Sequence, residues 1–446
     1  MDFRTMIQSL EEKGMIAHVR TEVDPVHELA GVAKRFEGGK KALIFDKVKG
    51  KEFPVVCGLW WNRDVLGAQF GVSGREVPAY IGNALERFHS APVPPVIVGA
   101  PPCQEIVEGD IDLTRLTIPT LALEDGGAYL DDSVVIAKDP DTGVRNTSIH
   151  RIMVTGKNRC TMLMDLGRHL RDYYERAEKK GQPLEITINN GVPASVYTCA
   201  ITAGTAIDED ELGLAAALQG DKAIALSRSR TVGVEGIASA EVVLEGCILP
   251  RVREPEGPFG EVTGYYAQRD DRWVVEITAI TRRRDTMMQT LLPGKEVWNS
   301  IGACSEAGLL KTLSKQVPGV KNVYLAHANC GFYGCVVQCD PPRAGFGKNA
   351  ILAAFGAFPP LNMVTVVNSD VDIFDAEDVM RAVTLRFDPT KDLVVVPAAA
   401  CHELNPVCPG GLGAKYGFDA TIPPGEEERY RRVAFREVDL AKYVIE

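Results

Sequence analysis

The first part of the chain combines helix-type and strand-type patterns of apolar residues. Segment 2–13 carries an apolar residue every three or four positions, which predicts a helix. Segment 25–36 predicts a second helix, because Gly38-Gly39 follows it and glycines commonly end helices. The continuous apolar runs 42–45 and 53–57 predict short buried strands. A proline-rich stretch, 91–102, has the composition of a linker and predicts a domain boundary there.

The middle of the chain is rich in strand patterns. Segments 151–155 and 159–164 flank Gly156-Lys157-Asn158 and predict a hairpin. Segments 240–249 and 273–280 alternate apolar and polar residues over parts of their length, as half-buried antiparallel strands do. Further predictions for this region are strands at 184–188 and 196–202 and a short helix at 209–218. The patterns favour a β-barrel or a β-sandwich.

The last part of the chain returns to alternating strands and helices, which is typical of an α/β domain. The predicted strands are 323–325, 334–339, 363–367 and 393–396, the predicted helices are 349–358 and 375–381, and the charged tail 426–446 is predicted to include a terminal helix. We therefore predict three domains, which comprise residues 1–100, 101–295 and 296–446.

Composition narrows the class of protein. The net charge of −11 and the lack of a long basic run argue against a nucleic-acid partner. No apolar run reaches the roughly 18 residues of a membrane-spanning helix, and the N-terminus lacks the apolar core of a secretory signal. Eleven scattered cysteines without a Cys-x-x-Cys pair do not predict a disulfide framework. A cytoplasmic protein is expected.

Two carboxylates in one Gly/Pro-rich segment are the first candidates for chemistry. Glu256 and Glu261 enclose Gly257-Pro258-Phe259-Gly260, which cannot form a regular helix. The segment predicts a tight loop that aims both carboxylates at one cavity. Paired acids in different surroundings can differ in protonation, as a general acid and its ionised neighbour require. A solvated acidic turn is the alternative.

A second group of residues contains an arginine among apolar neighbours and a set of metal-ligand types. Arg151 is expected to meet a carboxylate such as Glu256 if it is buried, and it is otherwise a surface arginine. Asn146, His169 and Glu211 together could form an O/N site for Mn²⁺ or Mg²⁺. A hydrogen-bonded core histidine is the alternative for His169.

These residues carry a resemblance to a known family. The set Asn146-x4-Arg151, His169, Glu211 and Glu256-Gly-Pro-Phe-Gly-Glu261 resembles the UbiD family of reversible decarboxylases that use prenylated FMN. The resemblance extends to both ends of the chain, where the similar stretches are 21–25, 42–50, 370–375, 386–389 and 417–421.

The resemblance implies a mixed α+β fold and assigns the site. It implies an N-terminal α/β domain, a central split β-barrel that binds flavin, and a C-terminal α/β domain that helps to form homodimers. It implies catalytic roles for Arg151, Glu256 and Glu261, with Glu261 as the proton donor. The implied metal ligands are Asn146, His169 and Glu211, for manganese or magnesium with potassium nearby, and the implied cofactor contacts are Asn146, Ser148, Ile149, Arg151, Arg168, His169 and Lys348.

The chain also departs from the family pattern. Asn362 stands where many relatives have a lysine, and Lys348 is the expected substitute. Glu296 and Trp298 stand where some relatives have a substrate-contacting histidine, so the substrate does not carry over.

The function implied is decarboxylation of an aromatic, heteroaromatic or α,β-unsaturated acid, with CO₂ as co-product and the cofactor supplied by a flavin prenyltransferase. A non-catalytic flavin- or metal-binding subunit of a larger carboxylase is the alternative. From pattern alone, a metal-dependent hydrolase is a third hypothesis.

Overall fold

The structure is a computed structural model that describes residues 1–202, 205–439 and 442. The first segment contains α1 Phe3–Glu12, β1 Ile16–Val19, α2 Glu28–Lys34, β2 Ala42–Phe45, β3 Val55–Cys57, α3 Arg63–Phe70, α4 Val77–Ser90 and β4 Val96–Ile97. The two predicted helices and the two predicted strands are therefore confirmed. Helix α1 buries the apolar face that its pattern predicts, and Asp2 caps it by accepting a hydrogen bond from the backbone N–H of Thr5 at 2.8 Å.

The middle segment supplies most of the strands. Its elements are β5 Ile106–Val107, β6 Tyr129–Leu130, β7 Val134–Lys138, β8 Arg145–Ile149, β9 Ile152–Val154, β10 Arg159–Met162, α5 His169–Lys179, β11 Leu184–Asn190, α6 Ala194–Ile201, α7 Leu212–Leu218, β12 Ala225–Ser227, β13 Gly236–Ile237, β14 Val242–Glu256, β15 Phe259–Gly260, β16 Tyr266–Ala267, β17 Asp270–Arg282 and β18 Met288–Gln289. The predicted hairpin is β9–β10, and the two alternating segments are β14 and β17.

A nine-stranded antiparallel sheet organises this segment. Its strand order is β6-β9-β10-β17-β14-β11-β7-β8, with β5 beside β17. Strands β8 and β9 lie near opposite ends of that order, but only His150 and Arg151 separate them in sequence. A two-residue connection spans at most about 11 Å. The sheet therefore curls until its two ends approach each other, which gives a half-barrel as the split-barrel prediction expects.

The last segment forms a smaller layered unit. Its elements are α8 Lys295–Gln316, β19 Val320–Tyr324, β20 Gly334–Cys339, α9 Phe346–Ala357, β21 Met363–Val367, α10 Ala376–Arg386, β22 Leu393–Ala400 and β23 Leu412–Asp419. The strands form one mixed sheet in the order β19-β20-β21-β23-β22. The strand predictions for this segment and the helix predictions at 349–358 and 375–381 are confirmed, whereas the long helix α8 was not predicted.

The first and middle segments share two smaller sheets. Strand β18 pairs with β3 in the four-stranded sheet β1-β2-β3-β18, and β4 pairs with β12 in the three-stranded sheet β13-β12-β4. Both large apolar cores contain side chains from the two segments. Among the helices of the described residues, none combines the length and the apolar character that crossing a bilayer requires.

Two predictions about elements need correction. The strand predicted at 196–202 is wrong, because this stretch belongs to helix α6. Its apolar and β-branched residues are buried on nearly all sides, and a buried helix has the same continuous pattern as a buried strand. The described part of the tail contains a 3₁₀ turn, Glu427–Tyr430, and no α-helix, while residues 440, 441 and 443–446 lie outside the described range.

Helix α6 is fixed by an aromatic pair, and the pair predicts a stability effect. Tyr197 stacks on Trp60 with ring centroids 4.0 Å apart, and Trp60 is 1% exposed. We expect Trp60→Ala to lower the free energy of unfolding by about 3–5 kcal/mol, because the lost ring leaves a cavity. Urea denaturation measures the change, with Leu352→Ala on the exposed face of α9 as the control. A loss below about 1 kcal/mol would contradict this packing role.

Candidate active site

Arg151 lies in the short connection between β8 and β9, where the two ends of the curled sheet approach each other. Its side chain is 7% exposed. A guanidinium ion cannot be deprotonated in a protein, so a buried one requires anionic partners. Of the two alternatives for Arg151, the structure shows the buried one.

The two glutamates of the Gly/Pro-rich segment are those partners. Glu256 ends β14 and Glu261 directly follows β15. Gly257, at φ +91°, provides the backbone turn between them. Arg151 donates through Nη2 to Glu256 Oε2 at 2.7 Å and through Nη1 to Glu261 Oε1. Both glutamate side chains are buried, so the segment is a loop that aims two carboxylates at one cation rather than a solvated turn.

The two carboxylates have different surroundings. The Tyr129 hydroxyl donates to Glu256 Oε1 at 2.7 Å, so both oxygens of Glu256 accept hydrogen bonds. Donors on both oxygens stabilise the charged form of a carboxylate. Burial raises the pKa of Glu261 above its usual value, although Arg151 opposes the rise. A carboxyl with a raised pKa retains its proton to higher pH than usual, which is what a general acid needs.

Three further polar side chains converge next to this pair. Asn146 is in β8, His169 begins α5, and Glu211 immediately precedes α7. Glu211 Oε2 accepts from Asn146 Nδ2 at 3.0 Å, and Glu211 Oε1 lies 3.4 Å from His169 Nδ1. The hydrogen bond to Glu211 raises the pKa of His169. The structure thus brings the predicted metal-ligand trio together from three elements.

The hydrogen-bond partners around Asn146 are arranged in a way that fits a cation. His150 Nδ1 lies 3.0 Å from the carbonyl oxygen of Leu163, which only accepts, and burial lowers the pKa of His150 to about 4. The neutral ring therefore accepts at Nε2, and the hydroxyl proton of Ser148, 3.0 Å away, goes to His150. Ser148 Oγ then faces Asn146 Oδ1 at 3.0 Å with no proton between the two oxygens. Such a pair of oxygens suits a bound cation, so the residues present fit a divalent metal.

The described residues contain no cluster of three or more His, Cys, Asp or Glu side chains that could hold a metal ion. A metal site at Glu211 therefore depends on the amide oxygen of Asn146 as well as on His169.

Two adjoining cavities connect the trio with the arginine–glutamate group. The larger, of about 440 Å³, is lined by Asn146, His169 and Glu211. The smaller, of about 140 Å³, is lined by Arg151 and Glu261. The residues that line both are Asp131, Ile149, His150, Asp165, Val262, Leu291, Val297 and Leu404. A third, open cavity of about 750 Å³ reaches Arg151 and Glu261 from the outside.

Most of the residues predicted to contact a cofactor line the larger cavity, namely Asn146, Ser148, Ile149, Arg168 and His169. Arg151 lines the smaller cavity instead, and the prediction for Lys348 needs correction. Lys348 lines a separate cavity with Asp388 and Asp392, and its ammonium donates to the carbonyl of Lys391. Asn362 lines neither site cavity; its amide donates to the carbonyl of Ala414 at 2.7 Å.

The two residues in the divergent segment have structural partners. Glu296 is fully buried and accepts from the backbone N–H of Leu292 at 2.8 Å, and burial raises its pKa to about 8. Trp298 donates from its indole N–H to the carbonyl of Val262 at 2.8 Å. Neither lines the two inner cavities, where Val297 and Ile301 of the same helix are found instead.

Several residues of the site were missed from the sequence. Tyr129, Asp131, Asp165 and His402 come from four separated places in the chain. Asp131 had a usable signal, because Asp131-Asp132 interrupts the apolar run 128–137 and buried carboxylates in such runs are rare. Burial raises the pKa of Asp131 to about 7.

Comparison with known protein families agrees with this arrangement. Residues 96–296 match the 3-octaprenyl-4-hydroxybenzoate carboxy-lyase Rift-related domain, 299–420 match the C-terminal domain of that family, and 7–85 match its N-terminal domain. The chain belongs to the UbiD family, and it is a carboxy-lyase of that family.

Individual relatives cover nearly the whole chain. A Rhodospirillum rubrum protein described as an uncharacterized protein in the cooM 5′ region is 48% identical over 95% of this chain and 91% of its own length. The anhydromevalonate phosphate decarboxylase of Methanothermobacter thermautotrophicus is 34% identical over 97% of this chain and 99% of its own length.

A solved structure shares the entire fold. The UbiD-class enzyme HmfF from Pelotomaculum thermopropionicum, solved in complex with FMN, aligns with a TM-score of 0.94 at 39% identity and covers 100% of both chains. An evolved dimeric form of the same enzyme, in complex with prFMN, aligns with a TM-score of 0.89 at 38% identity over 99% of this chain and 100% of that chain.

The buried ion-pair group predicts a pH-dependent stability effect. Arg151→Met leaves Glu261 buried without its cation, while Glu256 keeps Arg272 at 3.8 Å, and we expect a loss of about 3–5 kcal/mol of unfolding free energy near neutral pH. The pKa of Glu261, which burial raises and Arg151 lowers, then lies further above its unfolded value, so the folded variant binds more protons and loses stability as pH rises. Denaturation at pH 5.5 and 8 should show the larger deficit at pH 8.

Arg159→Met removes a half-exposed pair with Glu254 and provides the control, for which we expect little change. An Arg151→Met deficit that is the same at both pH values would contradict the coupling to the two carboxylates.

Proposed function

We propose that the protein catalyses the reversible, non-oxidative decarboxylation of an aromatic, heteroaromatic or α,β-unsaturated carboxylic acid with the help of prenylated FMN. The observation that carries the proposal is the convergence of Arg151, Glu256 and Glu261 at a cavity that adjoins the one lined by the Asn146, His169 and Glu211 trio. A protein that only bound flavin or metal would need no proton donor. The alternative of a non-catalytic subunit has no support from these residues or from the relatives.

The larger cavity is the proposed cofactor site. The support is its lining, which includes Ser148, Ile149 and Arg168, and the FMN and prFMN complexes of HmfF. When bound, prenylated FMN supplies an electron sink for the carbon that loses carbon dioxide. The chain's own residues hold and orient it. Arg168 is the cation that lines this cavity beside the trio, and it suits a phosphate group.

The divalent ion is proposed to bind Asn146, His169 and Glu211, with manganese preferred over magnesium because one ligand is an imidazole. The support is the convergence on Glu211 and the unprotonated oxygen pair at Asn146 and Ser148. Its role is to fix the phosphate end of the cofactor. Potassium, which the family resemblance implies, is not part of this proposal.

Proton delivery is the step that the residues of this chain perform. The reaction breaks the bond between the substrate carbon and its carboxylate, carbon dioxide leaves, and a proton takes its place on that carbon. Glu261 is the proposed donor, since burial raises its pKa and it lines the smaller cavity. Arg151 and Glu256 hold it in position. Glu261 also borders the open cavity, through which water can return a proton after each turnover.

The remaining partners are proposed from the same reasoning. A flavin prenyltransferase would supply the cofactor, and a homodimer in the cytoplasm is the expected form. Support for the dimer comes from HmfF, one form of which is described as dimeric.

The acid role of Glu261 predicts the effect of a conservative substitution. Glu261→Gln removes the proton donor, and we expect carbon dioxide release to fall by about 10²-fold or more while flavin absorbance of the purified protein stays unchanged. In the unsubstituted protein, activity should fall as pH rises through the raised pKa of Glu261, because the ionised acid cannot donate. Glu254→Gln, at the partly exposed pair with Arg159, is the control. Unchanged turnover in Glu261→Gln would remove this residue from its role.

The metal assignment predicts a joint loss. His169→Ala removes the nitrogen ligand, and we expect manganese and flavin to decrease together in the purified protein. Metal analysis and flavin absorbance measure both quantities. His18→Ala, at a surface pair with Glu11 and Asp46, should leave both unchanged. An unaltered manganese content in His169→Ala would contradict the ligand assignment.

A further inference from the structure

The residues common to the two inner cavities reveal an unused hydrogen-bond acceptor. Five of the eight shared residues are apolar, and the three polar ones are Asp131, His150 and Asp165. Both ring nitrogens of His150 have hydrogen-bond partners. Asp131 Oδ1 accepts from Thr290 Oγ1 at 3.1 Å and from the backbone N–H of Leu291 at 3.3 Å. Asp165 is therefore the polar group that protein contacts do not explain.

The carboxylate of Asp165 has no hydrogen-bond or ion-pair partner within the described residues. Its Oδ1 is shielded from solvent and unsatisfied. Arg168 follows Asp165 by three positions, but no ion pair joins the two among the described residues. A buried polar atom without a partner destabilises the folded state, and more so when it is charged. Such a cost at the wall of a site indicates an atom that a ligand satisfies.

The location of Asp165 indicates a contact with the substrate rather than with the predicted metal-binding end of the site. Burial is the main cause of the raised pKa of Glu261 and of the lowered pKa of His402, and Asp165 lies within electrostatic reach of both groups. Glu261 borders the smaller cavity and His402 the larger one, so Asp165 lies between the proposed proton donor and the C-terminal wall. Around it the walls are apolar, with Val262, Leu291 and Leu404. One acceptor in apolar surroundings discriminates strongly between ligands with and without a matching donor.

We propose that Asp165 is a specificity-determining residue that accepts a hydrogen bond from an N–H or O–H group carried by the substrate acid. This inference rests on the proposed function and narrows it to acids that carry such a donor, for example a pyrrole or a phenol ring. A second anionic group at this end is disfavoured. Asp165 and Glu261 are acidic, and the nearby cation, Arg151, is already paired with two carboxylates.

The experiment compares acids of nearly equal shape that differ only in the donor. The pairs are pyrrole-2-carboxylate with furan-2-carboxylate, 3-hydroxybenzoate with 3-fluorobenzoate, and 4-hydroxybenzoate with 4-fluorobenzoate. Carbon dioxide release is measured with the cofactor-loaded protein. For at least one pair we expect kcat/KM to be about 10- to 100-fold higher for the donor, as suits a hydrogen bond to a charged group. In Asp165→Ala that ratio should fall to about one.

A second readout separates substrate recognition from a structural role. Because Asp165 has no partner among the residues that the structure describes, Asp165→Ala should unfold at the same or a higher urea concentration than the unsubstituted protein, whereas a structural carboxylate would lower the midpoint. Glu403→Gln is the matched control. Glu403 borders only the open outer cavity, so its variant should keep the donor preference.

The outcomes distinguish the inference from the function on which it rests. Equal kcat/KM values within every pair, or a donor preference that survives in Asp165→Ala, would overturn the role of Asp165 and leave decarboxylation standing. Carbon dioxide release from none of these acids, nor from a wider set of aromatic and unsaturated acids, would overturn the proposed function and the inference with it.

Discussion

The burial of the Arg151 guanidinium between two glutamates is the interaction on which the rest of the site depends. The curl of the nine-stranded sheet brings its two ends close enough for the β8–β9 connection to hold Arg151 there. One buried cation then requires carboxylates, and the segment after β14 supplies both. The two acids share one cation, but Glu256 also accepts from the Tyr129 hydroxyl, so two residues of the same type have different surroundings.

The same sheet also sets the distance between the two halves of the site. Strand β8 carries Asn146 and Ser148 and leads directly to Arg151, so one member of the predicted metal-ligand trio and the arginine of the ion-pair group are fixed to one short piece of backbone. Helices α5 and α7 bring His169 and Glu211 to the first half. Sites built on rigid elements hold their geometry more accurately than sites on loops. A cofactor that reached from one half to the other would therefore meet a preformed surface.

Local features of this protein could be predicted from the sequence, whereas contacts between distant segments could not. The glycines and the proline between Glu256 and Glu261 predict a loop, and the alternation of apolar and polar residues predicts β14 and β17. Helix α6 was mistaken for a strand because full burial removes the helical period. Tyr129 and Asp165 have no local pattern that would associate them with Glu256 or Glu261. Lys348 was assigned to the cofactor site by family resemblance, but in the fold it lines a separate cavity.

The first and middle segments share sheets, and this sharing limits how such a chain can change by exchange of segments during evolution. Residues before and after the proline-rich stretch complete each other's sheets through β4 and β18, so neither part could be exchanged without leaving an unpaired sheet edge. The five-stranded sheet, in contrast, takes all its described strands from residues 320–419. This unit also contributes His402 and Leu404 to the cavity wall. Recombination at the end of α8 could thus transplant one wall of the pocket onto an unchanged catalytic half.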